Sequence, residues 1–228
     1  MKRVFVSAFH VDEEHFLLTG QPRNDMFYET EYIYKTINPD AFGNKKIILY
    51  MPTHRQEGVK RIDCSKLFDF KALNEFCEKS NCVFVIKKHF YHRNEAENIG
   101  RYDNIIDLSE RVDVDSNELL MMSTCLITDY SSISTDYLLL NRPVFYFCYD
   151  LDEYLIKDRE MYWSYNDITP GPKCRTYIEL QYELSKYLVL KRDEYDKERI
   201  KIRDMFYDPK IQKKACPIIM DDINKKLK

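Results

Sequence analysis

"CLITDYSSISTDYLLLNRPVFYF", residues 125–147, decides the fold. Leu126 and Ile127 lie in a short apolar run, Asp129 to Ser132 make a polar turn, and Ile133, Tyr137 and Leu140 follow at i, i+4 and i+7. That spacing predicts a strand, a turn and a helix, and "RPVFYF" at 142–147 predicts a further strand opened by Pro143. Ser131 or Ser132 can cap the helix. The unpaired N–H groups of a first turn, beside the positive end of the helix dipole, also suit a phosphate. Both roles are open on the local pattern.

The alternation extends outward. "KKIILYM" at 45–51, "CVFVIK" at 82–87 and "NIIDL" at 104–108 read as strands. "CSKLFDFKALNEFCEKS" at 64–80 has helical periodicity through Leu67, Phe70, Leu73 and Phe76, and "DSNELLMMS" at 115–123 reads as a short helix. Short, continuously apolar strands separated by helices predict an α/β fold: a Rossmann-like parallel sheet with helices on both faces. Residues 175–206 read as mostly helical with a charged face, and the tail as a last helix entered at Pro217.

Bulk properties bound the function. At 228 residues with 44% hydrophobic and 32% charged side chains, the chain can bury a sizeable core. A net charge of −3 supplies no general field for nucleic acid, so any anion site must be local. The 7 cysteines form no CxxC pair and no zinc spacing, which suggests buried thiols in a reducing cytosol. No apolar run approaches the roughly 20 residues of a membrane-spanning helix.

In a parallel sheet ligands bind at the carboxyl ends of strands. Pro52 to Arg55, Lys87 to His89 and Asp129 to Ser132 all fall there. Arg55 carries a donor fork suited to phosphate, and His89 can act as a general acid or base or serve as a hydrogen-bonded structural histidine. Neither a Walker loop nor GxGxxG is present. Cationic groups and a helix start at neighbouring strand ends would make a pyrophosphate site without either.

Six stretches carry a resemblance: "LLTGQPRNDMF" (17–27), "ILYMPTHR" (48–55), "VFVIKKH" (83–89), "NELLMMSTCLITDYSS" (117–132), "STDYLLLNRPVFYF" (134–147) and "DITPGP" (167–172). In this order they resemble the CDP-glycerol glycerophosphotransferases of teichoic-acid-type polymer synthesis, over residues 5–172, with Leu-Ile-Thr-Asp-Tyr-Ser-Ser the most specific element. The resemblance implies a GT-B architecture of two Rossmann-like halves, of which this chain is the carboxyl, donor-binding half followed by C-terminal helices. It implies a lead-in segment at 1–40, a CDP-donor-binding domain at 41–172 and a helical segment at 173–228. The implied reaction moves glycerol phosphate, or a related polyol phosphate, from a CDP-activated donor to an acceptor hydroxyl and releases CMP.

Matched residue by residue, the resemblance implies His89 as catalytic, and Arg55, Lys87, Ser131 and Ser132 as contacts to the donor phosphates. Thr53, Asp129 and Asp136 fall at nucleotide or polyol contacts. The sequence departs from the family at Phe90, where Pro usually follows the histidine, at Arg159-Glu160, and after residue 206. The implied partners are CDP-glycerol or another CDP-polyol, a lipid-linked acceptor polymer and a separate chain carrying the amino-terminal half. No nucleic acid is expected. No cofactor is required and no metal ligand is assigned, while assistance by a divalent ion such as Mg²⁺ stays open. The implied location is cytoplasmic, peripheral at the inner face of the membrane. Two other readings stand beside it: a CDP-donor-binding module without transfer, and a GT-B glycosyltransferase using a nucleotide sugar.

Overall fold

In a computed structural model, residues 2–29, 31–55, 62–88, 99, 101–157, 161–209 and 214–227 are described, with side chains from residue 6 onward. Six strands, β1 (Lys46–Tyr50), β2 (Cys82–Ile86), β3 (Ile105–Asp107), β4 (Cys125–Thr128), β5 (Val144–Phe147) and β6 (Lys173–Cys174), form one sheet in the order β3-β2-β1-β4-β5-β6. Every pairing is parallel. The chain runs outward from β1 in one direction, then returns to place β4 on its other side. The β1/β4 boundary is therefore the topological switch point, where the crevice of such a sheet opens.

The strands are apolar throughout because both faces are covered. Ile48, Tyr50, Phe84, Ile86 and Ile127 point to one face, and Ile47, Leu49, Val83, Val85 and Leu126 to the other, as a period of two requires. Among the described residues the α-helices are α1 (Lys2–Phe9), α2 (Cys64–Leu67), α3 (Phe70–Lys79), α4 (Ser116–Met122), α5 (Ile133–Tyr137), α6 (Leu151–Lys157), α7 (Tyr165–Ile168), α8 (Tyr177–Leu188), α9 (Asp196–Phe206) and α10 (Ala215–Lys226). Leu73 and Cys77 of α3 and Leu180, Leu184 and Leu188 of α8 cover the first face; Leu119 and Leu120 of α4 and Tyr137 of α5 cover the second. This is the expected Rossmann-like arrangement.

Several element boundaries depart from the periodicity. The helix expected over 64–80 is broken at Phe68 and Asp69, because the Asp69 carboxylate caps α3 by accepting from the Ala72 N–H at 3.0 Å. The long helix expected over 175–206 is two, parted by a bend in which Lys191 takes a left-handed φ of 56°. The last helix begins at Ala215, two residues before Pro217. After Tyr137, α5 tightens into a 3-10 turn over Leu138–Leu140, ended by Asn141 at φ 48°.

Gly171, in "DITPGP", has no room for a side chain. A Cβ there would lie 2.0 Å from the Val144 carbonyl oxygen of β5, so glycine is what lets this loop pass close to the sheet.

Residues 22–29 and 31–36 pack onto this unit through buried polar groups. Glu118 of α4 accepts from the Tyr32 hydroxyl, the Lys35 and Thr36 N–H groups and the Thr36 hydroxyl, at 2.6 to 2.9 Å. Burial works to raise the Glu118 pKa, but the hydrogen bonds from Thr36, Lys35 and Tyr32 outweigh it and hold the carboxyl down at about 2. Asp25 accepts from the Cys216 N–H at 2.8 Å and from that of Ala215, tying the start of α10 to the same segment.

Candidate functional site

The exits of β1 and β4 are clipped together. The Thr128 hydroxyl donates to the Met51 carbonyl at 2.7 Å, and Asp129 Oδ1 accepts from the Thr53 N–H at 2.8 Å and the Tyr130 N–H at 2.6 Å. Asp129 Oδ2 accepts from Arg55 at 2.7 Å. Arg55 also reaches Asp150, after β5, through Nε at 2.8 Å and a terminal nitrogen at 3.0 Å, and donates to the Thr53 carbonyl at 2.6 Å. Tyr130 donates its hydroxyl to Asp150 and stacks on Tyr154, with ring centroids 3.9 Å apart. Both rings lie near the guanidinium, at 4.8 and 5.3 Å.

This arrangement places Arg55, expected at the donor phosphates, among the strand exits. The residue is 1% exposed, it does not line the crevice, and its donors go to two carboxylates and a carbonyl. Burial disfavours its charge, but Asp129 and Asp150 more than compensate and raise its pKa above the ordinary value. Arg55 joins three strand exits. Asp129, expected at the nucleotide or polyol, belongs to the same clip.

Above the clip lies a crevice of about 980 Å³. Its floor holds Pro52, Thr53 and His54 from the β1 exit and Asp129 to Ser132 from the β4 exit. The Thr53 hydroxyl oxygen is buried there with no hydrogen-bond partner among the described residues. Ser132 occupies the N-cap position of α5, yet its side chain makes no capping bond, and the Ser131 hydroxyl lies a long 3.4 Å from the Ile133 N–H. Ser132 therefore makes no capping bond, Ser131 makes only a long one, and both residues line the crevice.

Asp136 stands four residues beyond Ser132. Its carboxylate accepts from Arg23 at 2.9 and 3.1 Å, Asn24 at 2.8 Å and the Tyr207 hydroxyl at 2.7 Å. The expected nucleotide or polyol contact thus has both oxygens taken by the lead-in and by the end of α9.

Lys87 is also committed elsewhere. Its ammonium group is 3.1 Å from the Leu108 carbonyl and also donates to that of Arg111. It lines a second, smaller hollow of about 320 Å³ with Lys88, Ser109 and Ser131, not the main crevice. His89, with Arg159 and Glu160, lies outside the described residues.

Several lining residues escaped the sequence reading. Arg23 lay within a quoted motif without a role. Tyr154, Trp163, Phe206 and Tyr207 add an aromatic wall, with Trp163 edge-on to Phe206 at 5.5 Å. Trp163 and Phe206 are 43 positions apart, so no local pattern could have joined them.

The family model described as CDP-Glycerol:Poly(glycerophosphate) glycerophosphotransferase matches residues 1–215. The chain belongs to this family. Among its relatives, the teichoic acid poly(ribitol-phosphate) polymerase of Bacillus spizizenii is 31% identical, covering 98% of this chain and 36% of the relative. The teichoic acid poly(glycerol phosphate) polymerase of Staphylococcus epidermidis is 36% identical, covering 90% of this chain and 28% of the relative. A solved structure of a variant of the wall teichoic acid polymerase TagF, soaked with CDPG, matches with a TM-score of 0.70 at 29% identity, covering 100% of this chain and 57% of that one. The chain therefore spans well under half the length of these two curated glycerophosphotransferase-family relatives. The Rossmann-like parallel sheet expected from the sequence is the one observed, and it matches part of that polymerase. Among the described residues no helix is long and apolar enough to cross a membrane.

Proposed function

We propose that this glycerophosphotransferase-family chain binds a CDP-activated polyol donor in the switch-point crevice. There it takes part in transferring glycerol phosphate, or a related polyol phosphate, to an acceptor hydroxyl in teichoic-acid-type polymer synthesis. The observation that carries the reading is the placement of the Asp-Tyr-Ser-Ser turn. The family's most specific motif opens its two serines, of which Ser132 makes no capping bond, onto a crevice between β1 and β4.

In the proposed step the acceptor oxygen attacks the donor's β-phosphorus. A phosphodiester bond forms, the bond to the bridging oxygen breaks, CMP leaves, and the hydroxyl proton passes to a base. His89 matches the family's donor-half catalytic histidine. Such a transfer depends on positioning and on groups that meet developing charge. The crevice supplies hydroxyls and the aromatic wall supplies faces against which a base can stack. A lipid-linked acceptor, a second chain supplying the facing half, and a cytoplasmic site at the membrane surface belong to the same proposal, as does the division at residues 40 and 172.

Calorimetric titration of the purified chain with CDP-glycerol, CMP and UDP-glucose tests it. Cytidine-selective binding is the expected result. Preference for UDP-glucose would move the chain to sugar transfer, and a folded chain that binds none of the three would end the donor reading.

A further inference from the structure

Among the described residues, Arg23 is the one arginine or lysine that lines the crevice. It comes from the lead-in segment, outside the sheet, and its side chain is 56% exposed. Its placement is not that of a loose surface arginine. Nε and one terminal nitrogen both donate to Asp136 Oδ2, at 3.1 and 2.9 Å. Asp136 is itself braced by Asn24 and Tyr207, and the Arg23 carbonyl accepts from the Asn117 side chain at 2.9 Å. Backbone and guanidinium are therefore both held.

A guanidinium has two forks. The side-on fork, Nε with one terminal nitrogen, is spent on Asp136. The end-on fork, formed by the two terminal nitrogens, has no partner on its other nitrogen among the described residues. That fork matches two oxygens of a phosphate.

The position of the anchor fixes where the fork works. Ser132 and Asp136 are four apart along α5, so they share a face with Cβ atoms about 5–6 Å from each other. Arg23 is thus tethered one turn from the uncapped serine, on the crevice side, where the Thr53 hydroxyl also lacks a partner.

We infer that Arg23 binds a phosphate group of the crevice ligand through its end-on fork, and that Asp136 is the residue that positions it. This rests on the donor reading above and gives it its cation, the part that Arg55 does not play. Asp136 then touches no ligand itself.

The test is titration of the full chain and its variants with CDP-glycerol, and with cytidine as the phosphate-free control. Arg23→Gln is expected to weaken CDP-glycerol binding by at least about tenfold, the scale of a lost charged hydrogen bond, and to leave cytidine unchanged. The salt dependence of CDP-glycerol binding should fall in the same variant. Arg23→Lys should recover only part of the affinity, since an ammonium group has no fork. Asp136→Asn, with Arg23 intact, should weaken CDP-glycerol but not cytidine. An Arg23→Gln chain that binds CDP-glycerol as tightly as the parent overturns the inference while leaving the donor reading in place. Where the parent binds no cytidine nucleotide, the donor reading falls, and inorganic pyrophosphate decides Arg23 separately. Pyrophosphate binding lost in Arg23→Gln would sustain it; equal binding, or none by either chain, would overturn it.

Discussion

Two arginines meet two aspartates of the same nine-residue turn and helix, and they have opposite fates. Arg55 and Asp129 are each 1% exposed, and the pair is enclosed by Asp150, Tyr130 and Tyr154. Arg23 and Asp136 have the same chemistry, but the arginine stays more than half exposed and opens onto the crevice. A buried, fully partnered guanidinium fixes the positions of the loops around it. A half-exposed one, anchored by one fork, keeps donors for a ligand. Burial, more than residue type, separates the two.

The sharpest way to break the comparison is to remove both arginines and measure stability. Arg55→Ala leaves Asp129 and Asp150 in an enclosed site without their cation, and should cost about 3–5 kcal/mol in urea unfolding. Arg23→Ala removes a half-exposed partner from a buried Asp136 that keeps Asn24 and Tyr207, and should cost less, about 1–2 kcal/mol in the same assay. Equal costs would erase the distinction.

The next effect is a pH dependence that belongs to the lead-in. Glu118 has its folded pKa lowered to about 2, against 4.5 for the free group. Its contribution to stability is therefore complete above about pH 4.5 and lost progressively as the pH falls toward 2. The stability gap between the parent and Glu118→Gln should narrow across that window. A gap that stays constant would mean that the lead-in is not held through this carboxylate.

The smallest effect compares two helix starts. At α8, Thr176 and Glu179 form a capping box, each side chain bonding the other's backbone N–H. Thr176→Ala should cost about 1 kcal/mol. Ser132→Ala, where no capping bond exists, should change stability by less than about 0.5 kcal/mol and act on ligand binding instead. A larger stability loss at Ser132 would return it to capping.

Much of the fold was legible because it is local. The short helix read over 115–123 and the apolar run at Cys82–Ile86 declare themselves within a few residues. Phe68 and Asp69 misled because helical spacing continues across them while the Asp69 carboxylate starts a new helix. At the site, Thr53, Ser131 and Ser132 reached the crevice as their strand exits required. Arg55 and Lys87 also follow strands, yet turned inward to partners that no local pattern displays.

The order of strands and helices, the parallel sheet and the family follow from the sequence alone, since hydrophobic period and motif are properties of neighbouring residues. Only the tertiary structure decided which charges are displayed. Arg55 finds Asp150 at a separation of 95 residues, and Arg23 finds Asp136 at 113. A charged side chain's role depends on what the fold leaves around it, because partners and solvent set whether its donors are already spent.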